Sequence, residues 1–460
     1  MNFLGKLAPV LLLPLSGCIL GPDYERPEMR FDLPGYRATP TGESDGSPAA
    51  TVESPYKAGW NDPVLVSLLA DAAASNLTIR AAFSRLEQSR ATLAETRAAF
   101  WPIVGVSGSG TRRRAYDPDA TASSYAGDLS VGWELDIFGK NRRLSEISEQ
   151  EYLRAGLSVE DAQQAVASEI ALDYIQYRYA QADLALALET LDTLEATAKI
   201  AHARKASGFV AGSEADAADA SIATARADIP AKQAAVSVAK RALEQLCALP
   251  PFALDERLAP ASGIPQAAVP PRDLPANLLS RRPDVRQAEC TFHAATAQIG
   301  VARAARYPSI DLSAGAAVSA AALSSWSAAL KSLSFGGSVA LPLFRGGALR
   351  AAEKRAQAEA EEALLGFHDI VLQAVHEAQN NWTEWASLAA RRGELEKAVE
   401  ASRRAYEAAV SLYEAGKVDY TDVVSRQSAY ISARAARLNQ EAQYASQTVR
   451  LAKSLGFSVD

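Results

Sequence analysis

The chain has 460 residues, 48% of them hydrophobic and 22% charged, which excludes a disordered polymer, a collagen-like fibre and a disulfide-knotted miniprotein. Its net charge is −7, from 47 Lys plus Arg against 54 Asp plus Glu, so no basic stripe supports a nucleic-acid partner. Three Cys and four His leave few ligands for a metal cage, and no cofactor is called for.

The N-terminus reads as an address and an anchor. Met1–Lys6 carries one positive charge, and Leu7–Leu15 is an apolar run of nine residues. A spanning helix needs about 20. Leu15-Ser16-Gly17-Cys18 supplies the small residues and the thiol that a lipidating enzyme requires. Residues 1–17 are therefore expected to be a lipoprotein signal, with Cys18 the acylated residue and 18–60 an extended N-terminal segment. Ile19 stands where an Asp would direct inner-membrane retention, which favours the outer membrane. Cys247 and Cys290 both lie in Ala-rich helical sequence and read as packing residues rather than a disulfide.

Beyond the anchor the chain is written twice. Phe100-Trp101-Pro102-Ile103 is echoed by Arg306-Tyr307-Pro308-Ser309, and Asp136-Ile137-Phe138-Gly139 by Pro342-Leu343-Phe344-Arg345, both at an offset of 206. Gly208-Phe209-Val210 matches Gly416-Lys417-Val418 at an offset of 208. The first copy spans 61–260, with a helix over Asp62–Ala99, a β-hairpin near 102–138 and long helices over 141–249. The Pro-rich stretch gives a linker over 261–282. The second copy spans 283–460, with a helix over Pro283–Arg306, a hairpin near 308–344 and helices over 347–455. Asn141–Ser207 and Gly347–Ala415 are proline-free runs of 67 and 69 residues, rich in Ala, Glu, Gln, Arg and Leu. At 1.5 Å per residue each reaches roughly 100 Å. Pro230 is expected to kink or interrupt the shorter helix of the first copy.

A plain coiled coil would fit the helices but not the segments between them. Leu129, Val131, Trp133, Leu135 and Ile137 alternate with Ser130, Gly132, Glu134 and Asp136. Ile310, Leu312, Ala314, Ala316 and Val318 alternate with Ser309, Asp311, Ser313 and Gly315, and Leu333, Phe335, Val339, Leu341 and Leu343 continue the pattern. Successive strand side chains face opposite sides, so each segment has one apolar face. About ten residues is the length of a membrane β-strand. Trp101, Phe138, Tyr307 and Phe344 mark the helix-side ends, where aromatics suit a bilayer interface. Four such strands cannot close a barrel, since bacterial single-chain barrels start at about eight. Open edges are not tolerated in lipid. Two or three chains must share one barrel.

The chain resembles the TolC-type outer-membrane efflux lipoproteins (NodT-like), the outer-membrane factors of tripartite resistance-nodulation-division (RND) pumps. The likeness lies in Cys18-Ile19-Leu20-Gly21-Pro22-Asp23-Tyr24-Glu25-Arg26-Pro27, Trp60-Asn61-Asp62-Pro63-Val64-Leu65, Trp133-Glu134-Leu135-Asp136-Ile137-Phe138-Gly139-Lys140, and Leu278-Leu279-Ser280-Arg281-Arg282-Pro283-Asp284-Val285 with Ala288-Glu289. The resemblance implies a mixed α and β fold: a homotrimer in which long α-helical hairpins form a periplasmic α-barrel and four membrane β-strands per chain form a shared 12-stranded β-barrel. It implies a periplasmic adaptor protein and an inner-membrane RND transporter as partners. The expected function is a passive exit duct for small molecules, in the outer membrane, lipid-anchored through Cys18 and reaching into the periplasm. Two alternatives stay open, the exit duct of a type I protein-secretion system and a soluble periplasmic coiled-coil scaffold.

In the resembling family the helical turns form a periplasmic tip that partners open. Gly208 and Gly416 are the expected points of reversal, and Glu214, Asp216, Asp419 and Asp422 cluster just beyond them. Asp422 falls where family members carry a constricting aspartate; a second would fall at Ser425, which is not acidic. Arg281, Arg282, Pro283 and Asp284 read as structural: Pro283 suits a helix start and Asp284 its positive end. No enzyme motif survives inspection. Gly132–Lys140 has the wrong spacing for a phosphate loop, His376-Glu377 lacks a second His, and Gly105–Ser109 is not a nucleophile elbow.

Overall fold

The computed structural model describes residues 19–27, 62–116, 119–207, 212–259, 262–265, 281–322 and 330–456. The signal, Cys18, Gly208, residues 28–60 and most of the expected linker lie outside the described residues.

Helix α1 (Pro63–Ser75) starts where Asp62 Oδ1 accepts from the amides of Val64 and Leu65, with Pro63 in the first turn, where its missing N–H has no intrahelical acceptor. The single helix expected over Asp62–Ala99 is in fact two. Asn76 ends α1 and begins α2 (Leu77–Ala98): its Oδ1 accepts from Thr78 and Ile79, while its Nδ2 donates to the Leu246 carbonyl. The buried side chain thus caps the start of α2 and bonds a carbonyl of a distant segment, while the Asn76 backbone N–H closes α1 on the Ala72 carbonyl. An 18-residue window within Pro63–Ala98 is apolar enough by composition to cross a membrane. The break at Asn76 and the burial of Leu65, Leu68 and Ala72 inside the protein assign α1 to a core instead.

Strands β1 (Ile103–Tyr116) and β2 (Asp119–Leu135) form an antiparallel hairpin, followed by α3 (Lys140–Ala206) and α4 (Gly212–Leu246). A short turn of helix, α5 (Asp255–Leu258), precedes α6 (Pro283–Ala304), the hairpin β3 (Ser309–Ala320) and β4 (Leu330–Ala340), and helices α7 (Ala348–Glu414) and α8 (Tyr420–Ser454). Helices α3 and α7 each have 67 residues, and α4 and α8 each have 35. Pro230 does not interrupt α4. The ring removes one backbone hydrogen bond, and the turns on either side are long enough to carry the helix across that gap. Leu341 and Leu343 fall just beyond the end of β4.

The chain separates into two compact units that do not follow the two-copy division of the sequence. One is made of residues 19–27 with the described parts of Ser84–Leu157 and Arg286–Asp369; the other takes residues 62–83 and the described parts of Ser158–Val285 and Ile370–Asp460. The first holds the sheet. The second is helical, and its core gathers Leu68, Tyr174, Leu243, Cys247 and Leu258, all buried. Cys247 and Cys290 are both free; Cys247 donates its thiol to the Leu68 carbonyl. Burial pushes the Cys247 thiol up to about 11, which keeps it protonated and unreactive.

Candidate functional site

The sheet has the order β1-β2-β3-β4, so β2 pairs with β3 and the outer edges of β1 and β4 are both open. Residues directly opposite each other share a face. Register therefore assembles one face from Val104 and Val106, Leu129 to Leu135 in steps of two, Ile310 to Val318 in steps of two, and Leu333, Phe335 and Val339. Val106, Leu333, Phe335 and Val339 are each at least two-thirds exposed in one chain. Water does not favour an apolar surface of that extent, whereas lipid does. Ile310 to Val318 covers about 27 Å along the strand, close to the ~25 Å apolar band of outer-membrane barrels.

The opposite face is small and polar. It carries Ser107, Ser109, Ser130, Gly132, Ser313, Gly315, Ser334 and Gly336, with Asp128, Glu134 and Asp311. Glu134 lies directly across from Asp311. Like charges in that position repel, and Lys140 Nζ offsets part of the cost at 3.2 Å from Glu134. The sequence gives no sign of this acidic pair, because it depends on the register between two distant hairpins. Asp136, in contrast, leaves the strand pattern. Its carboxylate accepts from the amides of Asn141 and Arg142 and from Arg142 Nε, so it caps α3 rather than lining the polar face. The four aromatics expected at the strand feet differ in setting. Phe138 packs on Tyr307 with ring centroids 5.1 Å apart, whereas Trp101 and Phe344 are 74% and 88% exposed.

At the foot of the sheet an extended strap, residues 19–27, runs against the start of α3 and along the side of α6. Gly21 passes so close to Gly300 that a Cβ on either would collide with backbone. Leu20 N–H donates to the Phe138 carbonyl. Arg143 donates to the Leu20 carbonyl, and pairs with Asp23 and Glu146, each at 2.7 Å. Burial opposes its charge, but the two carboxylates outweigh burial and raise its pKa. Tyr24 stacks on His293 and donates to Glu289, which also pairs with Arg26; burial, then Glu289, push the Tyr24 phenol up. Two of the sequence blocks that carry the family resemblance, some 265 residues apart, thus meet in one contact.

In the helical unit the turn Ala415–Asp419 joins α7 to α8. Gly416 has φ +70°, the left-handed conformation that closes α7, and Lys417 N–H donates back to the Leu412 carbonyl. Of the four acidic residues expected at the turns, Asp419 and Asp422 are exposed; Asp419 stands at the N-cap of α8 and Asp422 in its first turn. Asp216 is exposed and 3.8 Å from Lys205. Glu214 is not a free carboxylate: Tyr413 Oη donates to it at 3.1 Å, and Arg204 stacks on the Tyr413 ring while donating to its carbonyl. Behind them Ala198, Ala201, Ala218, Tyr413, Tyr420 and Val423 form one core. Within it the Tyr420 hydroxyl has no hydrogen-bond partner among the described residues, nor does the buried amide of Gln427 farther along α8. Such buried orphans escape sequence reasoning, since nothing in composition marks them.

Arg282 closes the start of α6. It is bonded to Asp284, Glu377 and the Ser454 carbonyl, with Pro283 at the first position of the helix, as the sequence led us to expect. Among the described residues, no three or more His, Cys, Asp and Glu side chains are grouped to hold a metal ion.

The chain matches the family model for outer membrane efflux proteins over residues 68–248 and 274–457. It is 29% identical over 447 residues to nodulation protein T of Rhizobium leguminosarum bv. trifolii, covering 93% of this chain and 91% of that protein. It is 30% identical over 461 residues to the solvent efflux pump outer membrane protein SrpC of Pseudomonas putida, covering 97% and 96%. The solved outer-membrane channel OprN superposes with a TM-score of 0.85 at 28% identity, covering 96% of this chain and 100% of that one. An apolar sheet face, a polar sheet face and long helices are the parts of a membrane duct, and with these matches the chain belongs to the outer membrane efflux protein family.

Proposed function

We propose that this chain is the outer-membrane channel of a tripartite efflux pump, a passive duct through which small molecules leave the cell. The sheet carries this reading. It has one face suited to lipid, one suited to water, and two open edges. An edge strand in hydrocarbon exposes backbone groups with no partner, and four strands are too few to curl onto themselves. Three copies would bring twelve strands to one barrel, apolar outside and lined by serine, glycine and carboxylate inside. The chain needs no reacting group for this, and the family it matches is one of efflux proteins.

The wider assembly follows from the same reading. Cys18 anchors the chain in outer-membrane lipid, and the strap from Ile19 holds that anchor at the foot of the sheet, where Ile19 packs on Gly139. The helices reach into the periplasm towards an adaptor protein and an inner-membrane RND transporter, which select the cargo. The tip near Gly208 and Gly416 is the gate, with Asp422 its foremost acidic candidate. The SrpC relationship favours small apolar compounds over a secreted protein.

The test is preparation of the Cys18→Ser chain together with deletion of the gene. We expect the unlipidated protein to require detergent, to run as a trimer and to conduct ions in a planar bilayer. Deletion should raise susceptibility to solvents or antibiotics without altering protein secretion. A monomer stable in plain buffer would overturn the proposal.

A further inference from the structure

The apolar face of the sheet changes character at the end away from the helices. Side chains alternate along a strand, so the face that holds Val104 and Val106 continues through Gly108 and Gly110 to Arg112, Arg114 and Tyr116. On β2 the same face holds Tyr125, whose ring lies over Gly110, 3.3 Å from where a Cβ would stand. On β4 it holds Lys331, opposite Val318. Arg112, Arg114, Tyr116 and Lys331 are exposed, and Arg114 sits over the Tyr116 ring, 5.6 Å from its centroid. Arg114, Tyr125 and Lys331 each stand 13 residues from the aromatic at the foot of their own strand, Trp101, Phe138 and Phe344. At about 3.3 Å per residue and a strand tilt of about 40°, that is roughly 33 Å of depth. The hydrocarbon core is about 30 Å thick, so these residues emerge at the far headgroup layer, with Arg112 just below them. Asp128, Glu134 and Asp311 all stand on the polar face, and Asp119 holds the register position opposite Tyr116 at the hairpin end.

We propose that this basic band binds the phosphate groups of lipids in the outer leaflet, a site that rests on the outer-membrane reading above. The occupant is a phosphorylated glycolipid. Its acyl chains lie against Val106, Leu333 and Phe335, and its phosphates reach Arg112 and Arg114, with Lys331 extending the band to β4. A guanidinium offers paired N–H donors in a plane that matches phosphate oxygens, whereas the Lys331 ammonium acts as a point charge. The Tyr116 and Tyr125 rings suit the layer between acyl chain and headgroup. A cation facing lipid is costly at the bilayer centre and nearly free at its edge, so depth permits these residues and complementary charge gives them a ligand. Arg113 provides an internal contrast. It lies between the two arginines in sequence but on the polar face, where no lipid reaches.

The experiment measures retention of diphosphoryl lipid A by the full chain in neutral detergent, read by native mass spectrometry, with phosphatidylcholine as the comparison lipid. We expect lipid A to bind about tenfold more tightly than phosphatidylcholine, and Arg112→Ala combined with Arg114→Ala to remove about that factor. Adding Lys331→Ala should weaken binding further. Arg112→Lys with Arg114→Lys should keep more affinity than the alanine pair, and Arg113→Ala should change nothing. Excess inorganic phosphate should displace little lipid A, because the acyl chains hold it to the apolar face. The alanine pair should conduct like the parent chain in planar bilayers, which shows that the barrel is intact. If the triple variant retains lipid A as the parent does, or if Arg113→Ala costs as much as the pair, the site is wrong while the duct stands, and these arginines serve only to hold the strand ends in water. Full displacement by inorganic phosphate would make it a free-anion site and overturn the lipid. If the parent chain forms no channel in any bilayer, the outer-membrane reading itself fails.

Discussion

Tyr413 donates a hydrogen bond to Glu214, joining the last turn of α7 to the first turn of α4 across 199 residues of sequence, and Arg204 lies over the tyrosine ring from α3. Three of the four long helices are therefore tied at one aromatic side chain. The Tyr413 ring is buried, and burial, then Glu214, push its phenol above the ordinary value. Because the folded pKa is raised, the stabilisation is fully present below about pH 10 and is lost as pH rises through the raised value. Tyr413→Phe removes the bond but keeps the ring. It should cost about 1 kcal/mol, the usual worth of one such hydrogen bond. Hydrogen exchange should show faster opening of residues 198–206 and 213–222, and the alkaline loss of protection should shrink. Exchange unchanged in Tyr413→Phe would mean that the ring alone holds the turn.

A few residues away the same core contains a defect. Tyr420 is 2% exposed and its hydroxyl is unpartnered among the described residues. Burying a hydroxyl without a partner costs about 1–3 kcal/mol. Tyr420→Phe should therefore leave the protein as stable or raise its stability by about 1 kcal/mol, read as thermal unfolding of the detergent-solubilised protein. A loss of stability would reveal a partner that forms only in the assembly.

The elements were legible in the sequence because their periods are clean. Alternation set β3 to within a few residues but only the second half of β2, whose first residue, Asp119, lies ten residues ahead of the alternating run; the absence of proline set α3 and α7. Leu68 and its neighbours in α1 gave no warning that Asn76 would end that helix, because a single polar residue in an apolar run usually faces solvent. Asp136 fits a strand alternation and a helix cap equally well, and only the backbone chooses between them. The acidic pair Glu134 and Asp311 and the bond from Tyr24 to Glu289 depend on which distant segments meet. Periodicity carries no information of that kind.

Arg282 makes the start of α6 sensitive to acid. Its guanidinium, 12% exposed, sits 2.8 Å from both Asp284 and Glu377. Burial alone would raise the Asp284 carboxyl, but the hydrogen bonds and charge of Arg282 outweigh it and hold the group below its ordinary value. A depressed carboxyl stabilises the folded state above the unfolded pKa near 3.9, and that contribution is lost as pH falls through the folded value. Asp284→Asn should flatten the dependence of melting temperature on pH between about 2 and 5. At neutral pH it should destabilise the protein by about 1 kcal/mol, because Asp284 is 41% exposed and Arg282 keeps its bonds to Glu377 and the Ser454 carbonyl. A variant with the parent's acid sensitivity would assign that sensitivity to other carboxylates.

Glu134 and Asp311 set a pair of carboxylates on the proposed lumen, with Lys140 offsetting part of the charge on Glu134. They face each other on the polar side of the sheet, and three copies would set six carboxylates near one level of the barrel. Exposed Asp422, in the first turn of α8, would add a ring at the tip. Rings of one sign attract counter-ions and raise their local concentration. Asp311→Asn should therefore reduce the preference for cations over anions in planar-bilayer recordings, with little change in total conductance at high salt, where screening shortens the reach of the charge to about 3 Å. It should also relieve repulsion worth about 0.2–1 kcal/mol across the strand pair. Asp422→Ala should act differently. If the tip is the narrowest point, its loss raises conductance as well as lowering cation preference. Equal effects of the two substitutions on selectivity, with conductance unchanged in both, would remove Asp422 from the gate and leave the barrel foot as the charge filter.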